Sequence, residues 1–281
     1  MSSRLAAMAV LLLAACAPAA DEPTEVASAA PQELTYTATD FAYTGPDTVA
    51  PGLTTIQLVN NGAQEHHIIL GRLDDGRTVA DLMAAFEANP NAEPDFVTWV
   101  GGAGSGMPGA TTNGTQELEA GTYVLICFVP DVTDNMMPHL AKGMIKELVV
   151  TGERIEAPAP SAVGDIVMSD YAFTIPTVTA GTHTFRVVNN GPQTHEVTVV
   201  RLNDGVTADQ YMAAMAPGAT APPPGVVVGG NGALSNGRTN WFSMAFEPGN
   251  YVMLCFVPDV ADGQPHIMKG MVQPFTVAAA M

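Results

Sequence analysis

Cysteine, basic residues, aromatics and long apolar runs are all scarce in this sequence, and each shortage closes off a class of protein. Three cysteines in 281 residues cannot build the disulfide framework of a small secreted scaffold. Lys plus Arg number 10 against 28 Asp plus Glu, a formal net charge of −18. A phosphate backbone is held by clustered Lys and Arg, so nucleic acid is excluded as a partner, and the acidic surface would steer basic or cationic ones. Aromatics at 6% leave little for stacking platforms. The apolar stretch from Leu5 to Ala15 is about half the ~20 residues a membrane-spanning helix requires. Hydrophobic residues still make up 47% of the chain, which is enough for a packed core, and the length fits two ordinary domains.

The N-terminus reads as an address. Arg4 is the only charge before Asp21, and the apolar stretch ends in small residues, the pattern of a secretory signal over residues 1–15. Its ending, Leu13-Ala14-Ala15-Cys16, looks like a bacterial lipobox, which implies cleavage before Cys16 and acylation of its thiol. The alternative is an ordinary signal peptide cut in the Ala17–Ala20 region, with Cys16 discarded. Residues 16–33 are rich in Ala, Pro, Glu and Thr without periodicity and read as a lipidated, flexible tether. The expected location is the bacterial cell envelope, outside the cytoplasm, periplasmic or at the cell surface, with the membrane reached through this anchor.

The rest of the chain is one unit written twice. Asp40-Phe41-Ala42-Tyr43 returns as Asp170-Tyr171-Ala172-Phe173, and Asn60-Asn61-Gly62 as Asn189-Asn190-Gly191. Cys127-Phe128-Val129-Pro130-Asp131-Val132 returns as Cys255-Phe256-Val257-Pro258-Asp259-Val260. Pro138-His139 and Lys142-Gly143-Met144 return as Pro265-His266 and Lys269-Gly270-Met271. The spacing between copies is domain-sized, so two homologous domains are expected at 34–150 and 164–281, joined by a linker at 151–163.

Within each unit the periodicity is that of strands. Thr55–Val59 and Thr184–Val187 alternate, while Tyr123–Val129 and Tyr251–Val257 are near-continuous apolar runs suited to buried strands. Ala50-Pro51-Gly52, Ala120-Gly121-Thr122 and Pro248-Gly249-Asn250 mark turns. An all-β fold with a sandwich in each unit follows. One short helix interrupts each: Thr78 with Asp81, and Thr207 with Gln210, have capping-box spacing, and Val79, Leu82, Met83 and Phe86 supply an apolar face. The Gly/Pro-rich segments 87–112 and 216–239 read as loops of undetermined path.

Chemistry gathers at repeated places. The first unit carries His66, then Cys127, His139 and Met144; the second carries His195, then Cys255, His266 and Met271. After each cysteine the spacings are Cys-x11-His-x4-Met and Cys-x10-His-x4-Met. Two imidazoles, a thiolate and a thioether are a soft mixed set that suits copper in a His₂Cys plane with a weak axial Met. Zinc seldom takes a thioether, and calcium wants oxygens. Period 2 puts His66 on the face of Ile68 and Leu70, and His195 on that of Val197 and Val199. Two copper ions are expected, one per unit.

The order His, Cys, His, Met on an all-β domain resembles the cupredoxins (plastocyanin, azurin and relatives), over about residues 34–150 and 164–278. The resemblance implies tandem Greek-key β-sandwiches, one type 1 copper per domain with those eight residues as ligands, and one-electron transfer between Cu(I) and Cu(II). The Pro-His-x3-Gly-Met ending also looks like the type 1 site of copper nitrite reductases. Two departures stand out. The Cys-to-His spacing is longer than in simple cupredoxins, which leads us to expect a distorted or weaker site. The residue after the upstream His is His67 or Glu196 rather than Asn. No His-x-His pair occurs, and Ile126 and Leu254 stand where nitrite reductases carry a type 2 copper His. No catalytic copper and no enzymatic activity are therefore expected.

Each residue also has a plainer reading. A lone buried Cys is usually inert, the two cysteines could pair as a disulfide, and Met144 or Met271 alone reads as core. Recurrence of all four residue types in one order favours ligation. His67 and His183 read as a surface and an ordinary strand residue, Asp131 and Asp259 as turn hydrogen-bonders, Met136, Met137, Met253 and Met268 as packing or loop residues, and Trp99 and Trp241 as structural. The expected function is an electron carrier, with the more exposed loop His of each site as electron exit and a redox protein as partner. A copper-handling protein with a copper donor or acceptor as partner is the first alternative, and a metal-free binding module the second.

Overall fold

The computed structural model describes residues 30–89, 93–216, 218–219 and 221–279; Cys16, the signal segment and most of the tether lie outside them. The first repeat supplies β1 (Gln32–Thr39), β2 (Ala42–Thr44), β3 (Thr48–Val49), β4 (Gly52–Asn60), β5 (Ile69–Leu73), helix α1 (Val79–Ala88), β6 (Val97–Gly101), β7 (Thr111–Leu118), β8 (Gly121–Ile126), β9 (Pro130–Asp131), β10 (Met137–Pro138), a 3-10 turn at His139–Lys142 and β11 (Ile145–Val150). The second supplies β12 (Asp165–Ser169), β13 (Ala172–Thr174), β14 (Gly181–Asn189), β15 (His195–Leu202), α2 (Ala208–Ala214), β16 (Gly225–Leu234), β17 (Thr239–Phe246), β18 (Gly249–Leu254), a 3-10 turn at His266–Lys269 and β19 (Val272–Val277). The fold is all-β, a sandwich in each repeat with one short helix. Among the described residues no helix is long and apolar enough to cross a membrane.

Alternation explains the layers. On β8 and just beyond it, Tyr123, Leu125 and Cys127 face the space between the sheets, where they meet Tyr36, Ile56 and Leu58. Val124 and Ile126 face the other way, onto Leu82 and Phe86 of α1. A strand covered on both faces reads as a continuous apolar run, and that is why Tyr123–Val129 did not alternate. The second repeat does the same with Tyr251, Met253 and Cys255 on one side and Val252 and Leu254 on the other. Both capping boxes form, with Thr78 and Thr207 bonded reciprocally to Asp81 and Gln210.

The segments read as undetermined loops contain strands β6 and β16, and with them the join between the repeats. Strand β7 pairs antiparallel with β17 through Thr115 and Trp241, and β6 with β16 through Val100 and Leu234. Each sheet therefore runs through both repeats, in the orders β13-β12-β14-β17-β7-β4-β1-β2 and β19-β18-β15-β16-β6-β5-β8-β11-β3. The pairing strands are equivalent in the two copies. Ala103 and Asn231, separated by the same interval as Cys127 and Cys255, bridge to each other, as equivalent residues do across a local two-fold axis. The seam is tight: a Cβ on Gly104 would lie 2.4 Å from the carbonyl carbon of Gly230. Asn113 closes it with a pair of bonds, its Nδ2 donating to Ser243 O at 2.8 Å and its Oδ1 accepting from Ser243 N at 2.9 Å.

Candidate metal centre

In the first repeat three residues from three places converge. His66 precedes β5 and exchanges backbone bonds with Gly106 (3.1 and 2.8 Å). Cys127 follows β8 by one residue, one step past the strand on which the sequence places it. His139 opens the 3-10 turn. The turn is locked to the cysteine: Cys127 N donates to Met144 O at 3.2 Å, Leu140 N to Cys127 O at 2.8 Å, and Met144 N to His139 O at 3.0 Å. Pro138 enters the turn at φ −60, and Gly143 ends it at φ 95, a left-handed conformation that glycine adopts without a Cβ penalty. Pro265 and Gly270 (φ 98) repeat this in the second copy.

The donor atoms form a triangle. Cys127 Sγ lies 3.9 Å from His66 Nδ1 and 3.4 Å from His139 Nδ1, and the two nitrogens are 3.1 Å apart. In the second repeat the same edges, Cys255 with His195 and His266, measure 3.9, 3.5 and 3.0 Å. The point equidistant from all three corners is about 2 Å from each in both copies, the length of a bond from a transition-metal ion to imidazole. Among the described residues these are the two His/Cys/Asp/Glu groups that could hold a metal ion. The mixed nitrogen and sulfur set fits copper. Met144 and Met271 are fully buried in the same core clusters as Cys127 and Cys255.

The longer Cys-to-His loop leaves the two triangles alike. Its residues fold into a small hairpin closed by Pro130 opposite Pro138, and by Pro258 opposite Pro265. The one-residue difference between repeats is absorbed within that hairpin. Asp131 and Asp259 stabilise it as turn residues: Asp131 Oδ1 accepts from Thr133 N at 2.8 Å and its Oδ2 from Lys142 at 2.6 Å, and Asp259 Oδ1 accepts from Ala261 N at 2.9 Å.

Burial sets the protonation states. It pushes the Cys127 thiol up to about 12 against the opposing pull of backbone N–H groups and the Tyr43 hydroxyl, and it pushes Cys255 up as well. His139 and His266 are lowered to about 4 by burial and by the neighbouring imidazole, so at neutral pH these rings carry a free lone pair. Both cysteines are free and lie in separate cores, so they form no disulfide.

Several expectations change. His67 is not a surface residue: it is buried, and its Nε2 accepts from Phe128 N–H at 2.8 Å. Glu196, its counterpart, accepts from Phe256 N–H at 3.1 Å. Two unlike side chains thus hold the backbone just after each cysteine. The loop histidines are not exposed either; all four imidazoles of the triangles are fully buried, with Phe41 packed edge-on to His139 at 4.8 Å and Tyr171 to His266 at 5.1 Å. Met136, Met137 and Met268 are exposed, whereas Met253 is core. Ile126 and Leu254, directly before the cysteines, point away from the triangles under the helices.

Sequence reading missed Asp40 and Asp170. Their Oδ1 atoms lie 2.7 Å from Nε2 of His66 and His195, which turns each Nδ1 toward its cysteine. For Asp40, burial is outweighed by bonds from Ala63 and His66, and the carboxyl sits below its usual range. The signal was present, since both acids open the repeated Asp-aromatic-Ala-aromatic motif. It also missed Gln64, whose Oε1 caps His139 Nε2 at 3.3 Å. Its counterpart Gln193 bonds Asp170, Tyr171 and Asp259 instead, and His266 Nε2 has no partner.

No family model matches the chain, and no curated protein matches it. It is similar to solved structures that include dithionite-reduced auracyanin from Roseiflexus castenholzii, at 25% identity over 44% of this chain and 100% of that one, with a TM-score of 0.30. Auracyanin A, a blue copper protein from Chloroflexus aurantiacus, matches at 23% identity over 43% and 99%, with a TM-score of 0.30. A blue copper oxidase from Nitrosomonas europaea matches at 16% identity over 89% and 86%, with a TM-score of 0.26.

Proposed function

We propose that the protein is a two-centre copper electron carrier of the cupredoxin type, with domains over 34–150 and 164–281. His66, Cys127, His139 and Met144 hold one ion, and His195, Cys255, His266 and Met271 the other. The observation that carries this reading is the pair of matching, fully buried His₂Cys triangles, each spanned by ligand-locking backbone bonds. A scaffold that pre-forms the ligand plane lets copper gain and lose an electron with little rearrangement. When bound, the ion supplies the Cu(I)/Cu(II) couple, and the chain's residues keep water out and hold the ligands in one geometry for both states. The aliphatic residues before each cysteine supply no second copper site, which favours a carrier over an enzyme. In this reading Cys16 anchors the chain by its lipid outside the cytoplasm, and the partner is a redox protein.

A copper(II) titration of the chain beginning at residue 30, which keeps all of β1, followed by visible absorption, tests this. An intense thiolate-to-copper charge-transfer band saturating at two equivalents is expected, with its loss in the Cys127→Ser, Cys255→Ser variant. Bound copper without that band, or copper surrendered as Cu(I) to a chelator on reduction, would point to a handling protein instead.

A further inference from the structure

All four imidazoles turn Nδ1 toward a cysteine, so a ring bound to copper through that atom carries its proton on Nε2. His66 and His195 have matching partners there, Asp40 and Asp170. The loop histidines do not match. His139 Nε2 meets Gln64 Oε1 at 3.3 Å, whereas His266 Nε2 is buried and, among the described residues, has no partner. A glutamine is present in both repeats. Gln193 stands at the place of Gln64, but its Oε1 accepts from Val260 N–H at 3.0 Å. Its Nε2 faces Tyr171 Oη, Asp170 Oδ2 and Asp259 Oδ2 at 3.0, 3.1 and 3.2 Å. One oxygen organises that set: the Tyr171 hydroxyl donates to Asp259 and accepts from Gln193. Phe41 packs on His139 as Tyr171 packs on His266, with ring centroids 4.8 and 5.1 Å apart, but it has no hydroxyl. Lys142 instead lies over the Phe41 ring and holds Asp131 at 2.6 Å, and the Gln64 amide is left to the imidazole.

A buried N–H without a partner is rare in a folded protein and calls for a reason. A ligating imidazole becomes a stronger donor when its other N–H is hydrogen-bonded. Stronger donation favours Cu(II) over Cu(I) and lowers the potential. Resting on the two-copper reading, we infer that the aromatic at positions 41 and 171 tunes its copper centre through the neighbouring glutamine. Phe41 leaves Gln64 to cap His139, which lowers the potential of the first centre. The Tyr171 hydroxyl withholds Gln193 from His266, which leaves the second centre at a higher potential than a capped ring would give. Phe41, Tyr171 and the two glutamines are positioning residues, acting on the ion only through a ligand ring. Phenylalanine and tyrosine fill the same space here, so exchanging them changes one oxygen and leaves the packing in place.

The test is the potential of each centre in the full copper-loaded chain, titrated with a mediated one-electron reductant and followed by the thiolate band. The Cys255→Ser chain isolates the first centre and the Cys127→Ser chain the second. Tyr171→Phe releases Gln193 to His266 and should lower the Cu(I)/Cu(II) ratio of the second centre about threefold at a fixed potential, about 28 mV for a one-electron couple. Adding Gln193→Leu should abolish that shift, which a direct effect of the hydroxyl on the centre would survive. Gln64→Leu should raise the ratio of the first centre by the same factor, and Phe41→Tyr should raise it only while Gln64 is present. In the diamagnetic Cu(I) chain, the proton–nitrogen NMR signal of His266 Nε2–H should move downfield in Tyr171→Phe. Thermal melts check that each variant is folded, and the two repeats supply independent variants of one rule. An unmoved potential in folded Tyr171→Phe or folded Gln64→Leu, a shift of the opposite sign, or a Tyr171→Phe shift that persists with Gln193→Leu would overturn the inference. Absence of any thiolate band in the unmutated chain would instead overturn the copper reading beneath it.

Discussion

Cys127 at about 12 and the still higher Cys255 are protonated thiols in the metal-free protein at neutral pH. A metal takes only the thiolate, so copper must displace one proton per thiol. Calorimetric titration in buffers of different ionisation enthalpy should find two thiol protons released per chain, and none in the double Cys→Ser variant. Asp40 and Asp170 fix the tautomer and aim of His66 and His195. Asp40→Asn or Asp170→Asn should weaken copper binding at its own centre by about 10–100-fold, measurable by chelator competition. His67 and Glu196 do the same job with opposite pH signatures. Burial lowers His67 from 6.5 to about 3, so below 6.5 only the unfolded chain takes up the proton and stability falls as pH drops toward 3. Burial raises Glu196 from 4.5 to about 7, partly offset by the Phe256 N–H. Between those values the folded state keeps a proton the unfolded chain has lost, so stability falls as pH rises through that window. Denaturant titrations of the metal-free chain should show His67→Gln flattening the acid limb and Glu196→Gln the other.

At the scale of elements, the local signals were sound where one residue pattern decides the outcome. Thr78 and Asp81 form the capping box their spacing announced, and the periodic Leu82 and Phe86 are the buried face of α1. Thr78→Ala should cost about 1 kcal/mol by thermal melting and leave the copper band unchanged, because α1 covers the face of β8 opposite Cys127. The Pro-His and Gly-Met pairs flanking each 3-10 turn were equally readable, since proline fixes φ by itself and glycine alone takes the left-handed conformation freely. Strands β6 and β16 were not. Gly101-Gly102-Ala103-Gly104 and Gly229-Gly230-Asn231-Gly232 look like loops because glycine disfavours strands. There the glycines serve close backbone approach.

At the scale of the molecule, that approach makes the two repeats one body. Equivalent edge strands cover each other, which pairs the edges each lone sandwich would expose at the seam. One cooperative unfolding transition is therefore expected, with calorimetric and van't Hoff enthalpies that agree. Gly104→Val places side-chain atoms against the Gly230 backbone and should split the transition into two, while each separated repeat keeps its own copper band.

The sequence by itself determined the all-β class, the duplication, the helices with their caps, and the eight candidate ligands, because periodicity, capping and repeated residue types are written locally or twice. Only the tertiary structure decided that Asp40 and Asp170 aim the upstream histidines, that His67 and Glu196 are buried on the same backbone position, and that two sandwiches share their sheets. Each of those depends on atoms brought together from distant parts of the chain, and no local pattern records a distance that only folding creates.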